Sequence, residues 1–176
     1  GREQDANRPL YDALRRIPSH LRATENLADL LEKRGQFGRA GVLNETVLER
    51  HPENPFNWEV AARLAERRAD LETALKYYDK AISVAAPGRT FPRERRARTL
   101  AELGRIDDAV AQLRELIASD STQRTRIDLA DLLYLHGRPG PAVEVCQEIL
   151  AKEPQNASGH AILGASLAAN GKLDDG

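Results

Sequence analysis

Four histidines, one cysteine, two pairs of adjacent aspartates and a run of arginines are the residues of this chain best suited to chemistry. His20, His51, His136 and His160 lie far apart in sequence. No His-Glu-x-x-His segment, metal-spaced cysteine cluster or glycine-rich phosphate loop accompanies them. His51 and His136 fall at the ends of helical patterns, where a cation complements the helix dipole. Cys146 reads as a buried structural thiol, not a nucleophile. With only one cysteine the chain forms no internal disulfide, and the compartment, periplasm or cytoplasm, stays open. Asp107–Asp108 and Asp174–Asp175 each stand in the first turn of a helical pattern, where negative charge favours the N-terminus, so paired-carboxylate catalysis is not needed to explain them. The expectation is no enzyme, no cofactor and no metal.

The densest charge feature is "GRTFPRERRAR", with Arg89, Arg93, Arg95, Arg96 and Arg98. Guanidinium forks bind oxyanions in pairs. Arg89, Arg93, Arg95 and Arg96 are therefore a candidate anion patch for carboxylate, phosphate or an anionic polymer, extended by Arg63, Arg67 and Arg68 if stacked helices bring them together. Glu66, Glu94 and Glu102 are interleaved and oppose it. A net charge of −1 with 30 % charged residues gives no positive field for nucleic acid, and no aromatic stacking platform is present. No apolar run approaches the roughly 18 residues of a membrane span. The sequons at Asn44 and Asn156 are discounted: Asn44 falls inside a helix pair, and Asn156 suits a helix cap.

What positions these residues is a repeat. "GQFGRAGVLNETVLERHPENP" starts at residue 35 and "GRPGPAVEVCQEILAKEPQNA" at residue 137, three intervals of about 34 residues apart. Gly35, Ala69, Gly104, Gly137 and Gly171 mark one position, where a tight turn between helices calls for positive φ. Ala40, Ala74, Ala109 and Ala142 follow five residues later. Pro52, Pro87 and Pro154 end the second pattern of three units, and Ser121 fills that slot in another. Each unit holds two apolar patterns of helical period, and none alternates like a strand. Ala28, Ala62, Ala97, Ala130 and Gly164 form a second small row on the first helix, and two facing small rows let paired helices approach closely. Arg93 and Arg96 replace large apolar residues in the third unit. Either that helix is rotated, or the arginine stems lie along apolar surface with their heads in water.

The pattern resembles the tetratricopeptide repeat. Trp58, Ala62, Ala74, Tyr78 and Ala81 follow the order of that signature, and Leu163–Gly164 match it in the last unit. The resemblance implies an all-α fold, a right-handed α-solenoid of stacked antiparallel helix pairs, with the first helices lining a concave face. By position it implies partner contacts from Glu25, Asp29, Phe56, Glu59, Arg63, Arg67, Phe91, Glu94, Arg98, Asp131 and Tyr134. The clamp of Lys and Asn with which some members grip a peptide C-terminus is absent; Glu, Asp, Val and Arg stand there. His160 falls on the tryptophan row and Cys146 on the aromatic row of the second helix, both packing positions. The i,i+4 pairs Glu59–Arg63 and Glu94–Arg98 offer a plainer reading as support for their own helices.

The expected organisation is one continuous solenoid. Residues 1–18 form the second helix of a truncated repeat, 19–54, 55–88, 89–122 and 123–156 form four complete repeats, and 157–176 form the first helix of another. The chain contains no Met and carries no polar cap on "HAILGASLAANG", which points to a piece of a longer array with open ends suited to self-association. The leading expectation is a non-catalytic scaffold that binds a partner peptide or protein on its concave face. Arginine-rich arrays of this look also occur in bacterial exopolysaccharide secretion, so a periplasmic segment that meets a charged polysaccharide or a polymer-modifying enzyme is the second reading. A regulatory or targeting module of an enzyme is the third.

Overall fold

The computed structural model describes the backbone of residues 30–119 and 122–174. Its contacts divide the chain into two compact units, Gly1–Pro87 and Gly88–Gly176. In the first unit, residues 30–33 end one helix, and α1 (Phe37–Arg50), α2 (Pro55–Arg67) and α3 (Leu71–Val84) follow. In the second unit come α4 (Phe91–Glu102), α5 (Ile106–Ser119), α6 (Gln123–Leu135), α7 (Pro139–Lys152) and α8 (Ala157–Asp174). Among the described residues there is no strand. The residues expected at 1–29, among them Glu25, Asp29 and the half-repeat over 1–18, lie outside the described residues.

Within each pair the helices are joined by one recurring turn. Gly35, Gly104 and Gly137 have φ of 71°, 77° and 72°, and Ala69 has φ 59°. The residue after each donates its N–H five residues back: Gln36 to Leu31, Asp70 to Ala65, Arg105 to Leu100 and Arg138 to Leu133, all at 2.8–3.0 Å. This is the Schellman closure, which satisfies the free carbonyls of the first helix and reverses the chain. Ala69 is exposed and bears the left-handed penalty with no packing in return. Ala69→Gly is therefore expected to stabilise the chain by about 1 kcal/mol, the penalty less the extra freedom glycine gains when unfolded. Chemical denaturation checks this as a raised midpoint.

The starts are capped by side chains. Asn54 accepts from the Phe56 N–H, Asp70 from Thr73, Thr122 from Thr125 and Asn156 from Gly159, at 2.8–3.3 Å. Pro55 opens α2 and Pro139 opens α7, where the missing N–H costs nothing. Asp107 and Asp108 stand in the first turn of α5.

The small rows sit where the helices meet. Ala62, Ala65, Ala74 and Tyr78 form one buried cluster in the first unit. In the second unit Ala97, Ala109, Ala130 and Ala142 are all fully buried. Close packing also sets Gly159: a Cβ there would lie 3.0 Å from Ile149 Cγ2 and 3.1 Å from Leu150 Cδ2. The third repeat is not rotated, because Ala97 and Leu100 are buried on the expected face. Arg93 and Arg96 are half-buried, and Arg96 Nη1 donates to Gln112 Oε1 at 2.9 Å, so the arginine stems lie along the helix pair.

The end of the second unit departs from expectation. Gly171 is not a turn; α8 runs through it to Asp174, and its φ is not positive. Gly164, expected on the small row, is exposed, and a Cβ added to it would meet nothing within 4 Å. The cause is the same for both. No described helix packs on that side of α8, so nothing draws the backbone into the reversing turn, and helix continuation is the local default.

Candidate functional site

In the first unit the charges of the first-helix face are tied to one another. Arg63 Nη2 meets Glu32 Oε2 at 2.9 Å, and Arg67 Nε lies 3.9 Å from Glu32 Oε1. Glu66 Oε1 accepts from the Tyr78 hydroxyl at 3.1 Å, which joins this face to α3. Phe56 is 45 % exposed at the start of α2. Glu59 is corrected from an open groove carboxylate to a buried one, 5 % exposed, and it is already engaged within the chain.

In the second unit α4 and α6 frame a cleft of about 420 Å³, with α5 contributing Leu113 to its floor. Of the sequence-predicted residues, Glu94, Arg98 and Asp131 line it. Glu102, Asp128, Leu132, Leu135 and His136 line it too, and reasoning from the repeat rows missed them as site residues. Phe91 is exposed at the start of α4, while Tyr134 is half-buried and outside the lining. The cleft is apolar at its base and acidic at its walls. Ala101, Leu113 and Leu132 are buried, whereas Leu135 is 66 % exposed.

The charge pairing differs from the i,i+4 expectation. Arg98 does not pair with Glu94. Its Nη2 lies 3.6 Å from Asp128 Oδ1, and Arg124 Nε lies 3.6 Å from Asp128 Oδ2. Glu94 instead accepts from the Thr125 hydroxyl at 3.2 Å. Asp107, read as a helix-dipole residue, also meets Arg138 Nη1 at 2.6 Å. Three of these contacts, Glu32–Arg63, Glu94–Thr125 and Asp107–Arg138, share a separation of 31 residues. That is one repeat less about one helical turn, the spacing at which a helix touches its counterpart in the next pair. Searching the sequence at this offset would have found them.

The hydrogen bond from Arg138, and then its charge, hold the Asp107 carboxyl below its ordinary range. A depressed carboxylate pKa favours the folded state above the unfolded pKa, and that contribution is lost as pH falls through the folded value. Arg138→Gln is expected to return the Asp107 titration to the ordinary carboxylate range, read by carbon-detected NMR; an unchanged titration would contradict the ion pair.

Part of the Arg run is engaged inside the chain. Arg96 binds Gln112, and Arg89, Arg95 and Arg96 each hold a further interaction within the chain. Among the described residues no cluster of His, Cys, Asp and Glu could hold a metal ion, and no helix is long and apolar enough to cross a membrane. Cys146 is fully buried, and burial pushes its thiol up, away from the reactive thiolate. His160 Nε2 lies 2.8 Å from the Pro154 carbonyl, as Trp58 Nε1 lies 2.8 Å from the Pro52 carbonyl. A carbonyl only accepts, so the histidine ring donates and takes the tryptophan's place in fastening a first helix to the preceding proline turn.

The family model of the tetratricopeptide repeat matches residues 94–157. No curated protein sequence matches the chain. Solved structures resemble it at low identity. A tetratricopeptide repeat protein from Parabacteroides merdae is 18 % identical with a TM-score of 0.76, over 95 % of this chain and 66 % of that one. A putative kinesin light chain of Podosopora anserina, with nearly identical TPR-like repeats, is 20 % identical with a TM-score of 0.72, over 90 % of each chain. YrrB, a TPR protein with an unusual peptide-binding site, is 15 % identical with a TM-score of 0.66, over 92 % of this chain and 83 % of that one. Likeness at such identities is likeness of fold: the chain has the α-solenoid fold of stacked helix pairs found in tetratricopeptide-repeat proteins.

Proposed function

We propose that this chain is a non-catalytic protein-interaction scaffold built of tetratricopeptide-like repeats, which holds a partner peptide or protein on its first-helix face. The observation that carries the reading is the cleft between α4 and α6, about 420 Å³, with the exposed Leu135 at its edge. Apolar floor with polar walls is the usual form of a site that takes a side chain and orients its neighbours. The repeat match over 94–157 covers all of α6 and all of α4 but its first three residues. YrrB, of similar fold, has a peptide-binding site. The polysaccharide reading rests on the Arg run, and the engagement of Arg89, Arg95 and Arg96 within the chain favours a peptide over a polyanion.

Panning a random peptide display library against the full chain tests the proposal. Peptides recovered on the wild type are expected to lose binding to a Leu135→Ser/Asp131→Arg variant, in which two exposed cleft residues change and no described hydrogen bond or ion pair is broken. Recovered peptides that bind the variant as well as the wild type would place binding elsewhere and remove the cleft from the account.

A further inference from the structure

We infer that the α4–α6 cleft selects cationic–apolar segments: a stretch of partner chain with Lys or Arg beside Leu, Ile or Val. The inference rests on the reading of this face as a peptide site and adds the sign of charge that the site accepts. Four carboxylates, Glu94, Glu102, Asp128 and Asp131, line the cleft against one guanidinium, Arg98. Arg98 is not available to an acidic partner on favourable terms, because it already faces Asp128 at 3.6 Å. A carboxylate arriving there would compete with Asp128 and meet Glu102 and Asp131 at close range, and like charges placed together suppress a wrong partner.

Glu102 and Asp131 are the groups left to act. Neither makes a hydrogen bond or ion pair with any described residue, and both are exposed. A Lys or Arg can approach them with much of its hydration kept, so the attraction carries little desolvation cost. The apolar half of the ligand has its own place. Leu135 is 66 % exposed beside the buried Leu113 and Leu132. A branched side chain seated there removes both its own surface and that of Leu135 from water. Charge sets which segment enters, and the apolar seat supplies the hold.

The test uses the full chain and three fluorescein-labelled peptides of equal length with blocked ends: alternating Lys/Leu, Glu/Leu and Lys/Ser. Fluorescence anisotropy is expected to rank Lys/Leu tighter than either other peptide by on the order of tenfold at moderate salt. Glu102→Lys/Asp131→Lys is expected to invert the order of Lys/Leu and Glu/Leu. Leu135→Ser is expected to bring Lys/Leu to the level of Lys/Ser. Circular dichroism confirms that these exposed changes leave the helices intact. Glu/Leu binding as tightly as Lys/Leu overturns the inference, as does a ranking that the double Lys variant leaves unchanged. The two readings fail differently. If Lys/Leu and Glu/Leu bind equally and both weaken with Leu135→Ser, charge selection falls and the peptide site stands. If no peptide responds to Leu135→Ser, the site itself falls.

Discussion

Tyr78→Ala lowers the free energy of unfolding by about 3–5 kcal/mol, the cost of removing a large aromatic side chain from a closed core. Tyr78 is 1 % exposed and packs with Ala62, Ala65 and Ala74 between α2 and α3. Three of its neighbours are alanines, which have no side-chain length with which to fill the space, and Tyr77 also packs against the cluster. A cavity lined largely by alanine closes poorly, so the cost stays within that range. The hydroxyl adds a separate contribution, because it donates to Glu66 Oε1 at 3.1 Å. Tyr78→Phe removes the hydroxyl, and with it this bond, and is expected to cost about 1–2 kcal/mol. Urea titration of the three proteins separates the packing and hydrogen-bond contributions. Equal stability of Tyr78→Ala and the wild type would contradict the close approach of α2 and α3 around this residue.

Ala130→Leu is the second large effect, expected at about 1–3 kcal/mol of destabilisation. Ala130 is fully buried on α6, as Ala142 is on the adjoining α7. Extra methylene groups at a fully buried position where two helices meet force the helices to separate or the leucine to leave its rotamer well. α6 also carries Asp128, Asp131 and Leu135 of the cleft, so displacing it is expected to weaken peptide binding as well. Gly164 provides the control. It occupies the equivalent row of α8, yet a Cβ there would touch nothing within 4 Å. Gly164→Ala is expected to stabilise the chain by about 1 kcal/mol through helix propensity alone. Opposite signs at two positions of one row, measured by denaturation, would show that neighbours and not the row itself decide the cost.

Much of the fold was legible because the repeat writes its constraints in residue types. Positive φ demands glycine or tolerates alanine, as at Gly35, Ala69, Gly104 and Gly137. Close helix approach demands alanine, as at Ala62, Ala97 and Ala130. Gly171 misled for a physical reason: a glycine permits a turn but does not compel one without a helix to pack against. The site was less legible. Family rows pointed to Glu94, Arg98 and Asp131, which line the cleft, and to Glu59, which is buried. They passed over Leu135. "LLYL" at 132–135 offers four large side chains in a row, more than one helix face can bury, and the surplus is the exposed leucine. The charge pairs were misassigned because i,i+4 proximity was weighed within a helix, while Arg63, Thr125 and Arg138 reach across repeats at an offset of 31.

The most direct measurement places a photoreactive amino acid at position 135, and in a second protein at Gln147, an exposed position on α7. Each protein is irradiated with a peptide selected on the wild type. The account predicts a crosslink from position 135, mapped by mass spectrometry to the peptide, and none above background from position 147. A crosslink from position 147 with none from position 135 would contradict a binding site on the first-helix face.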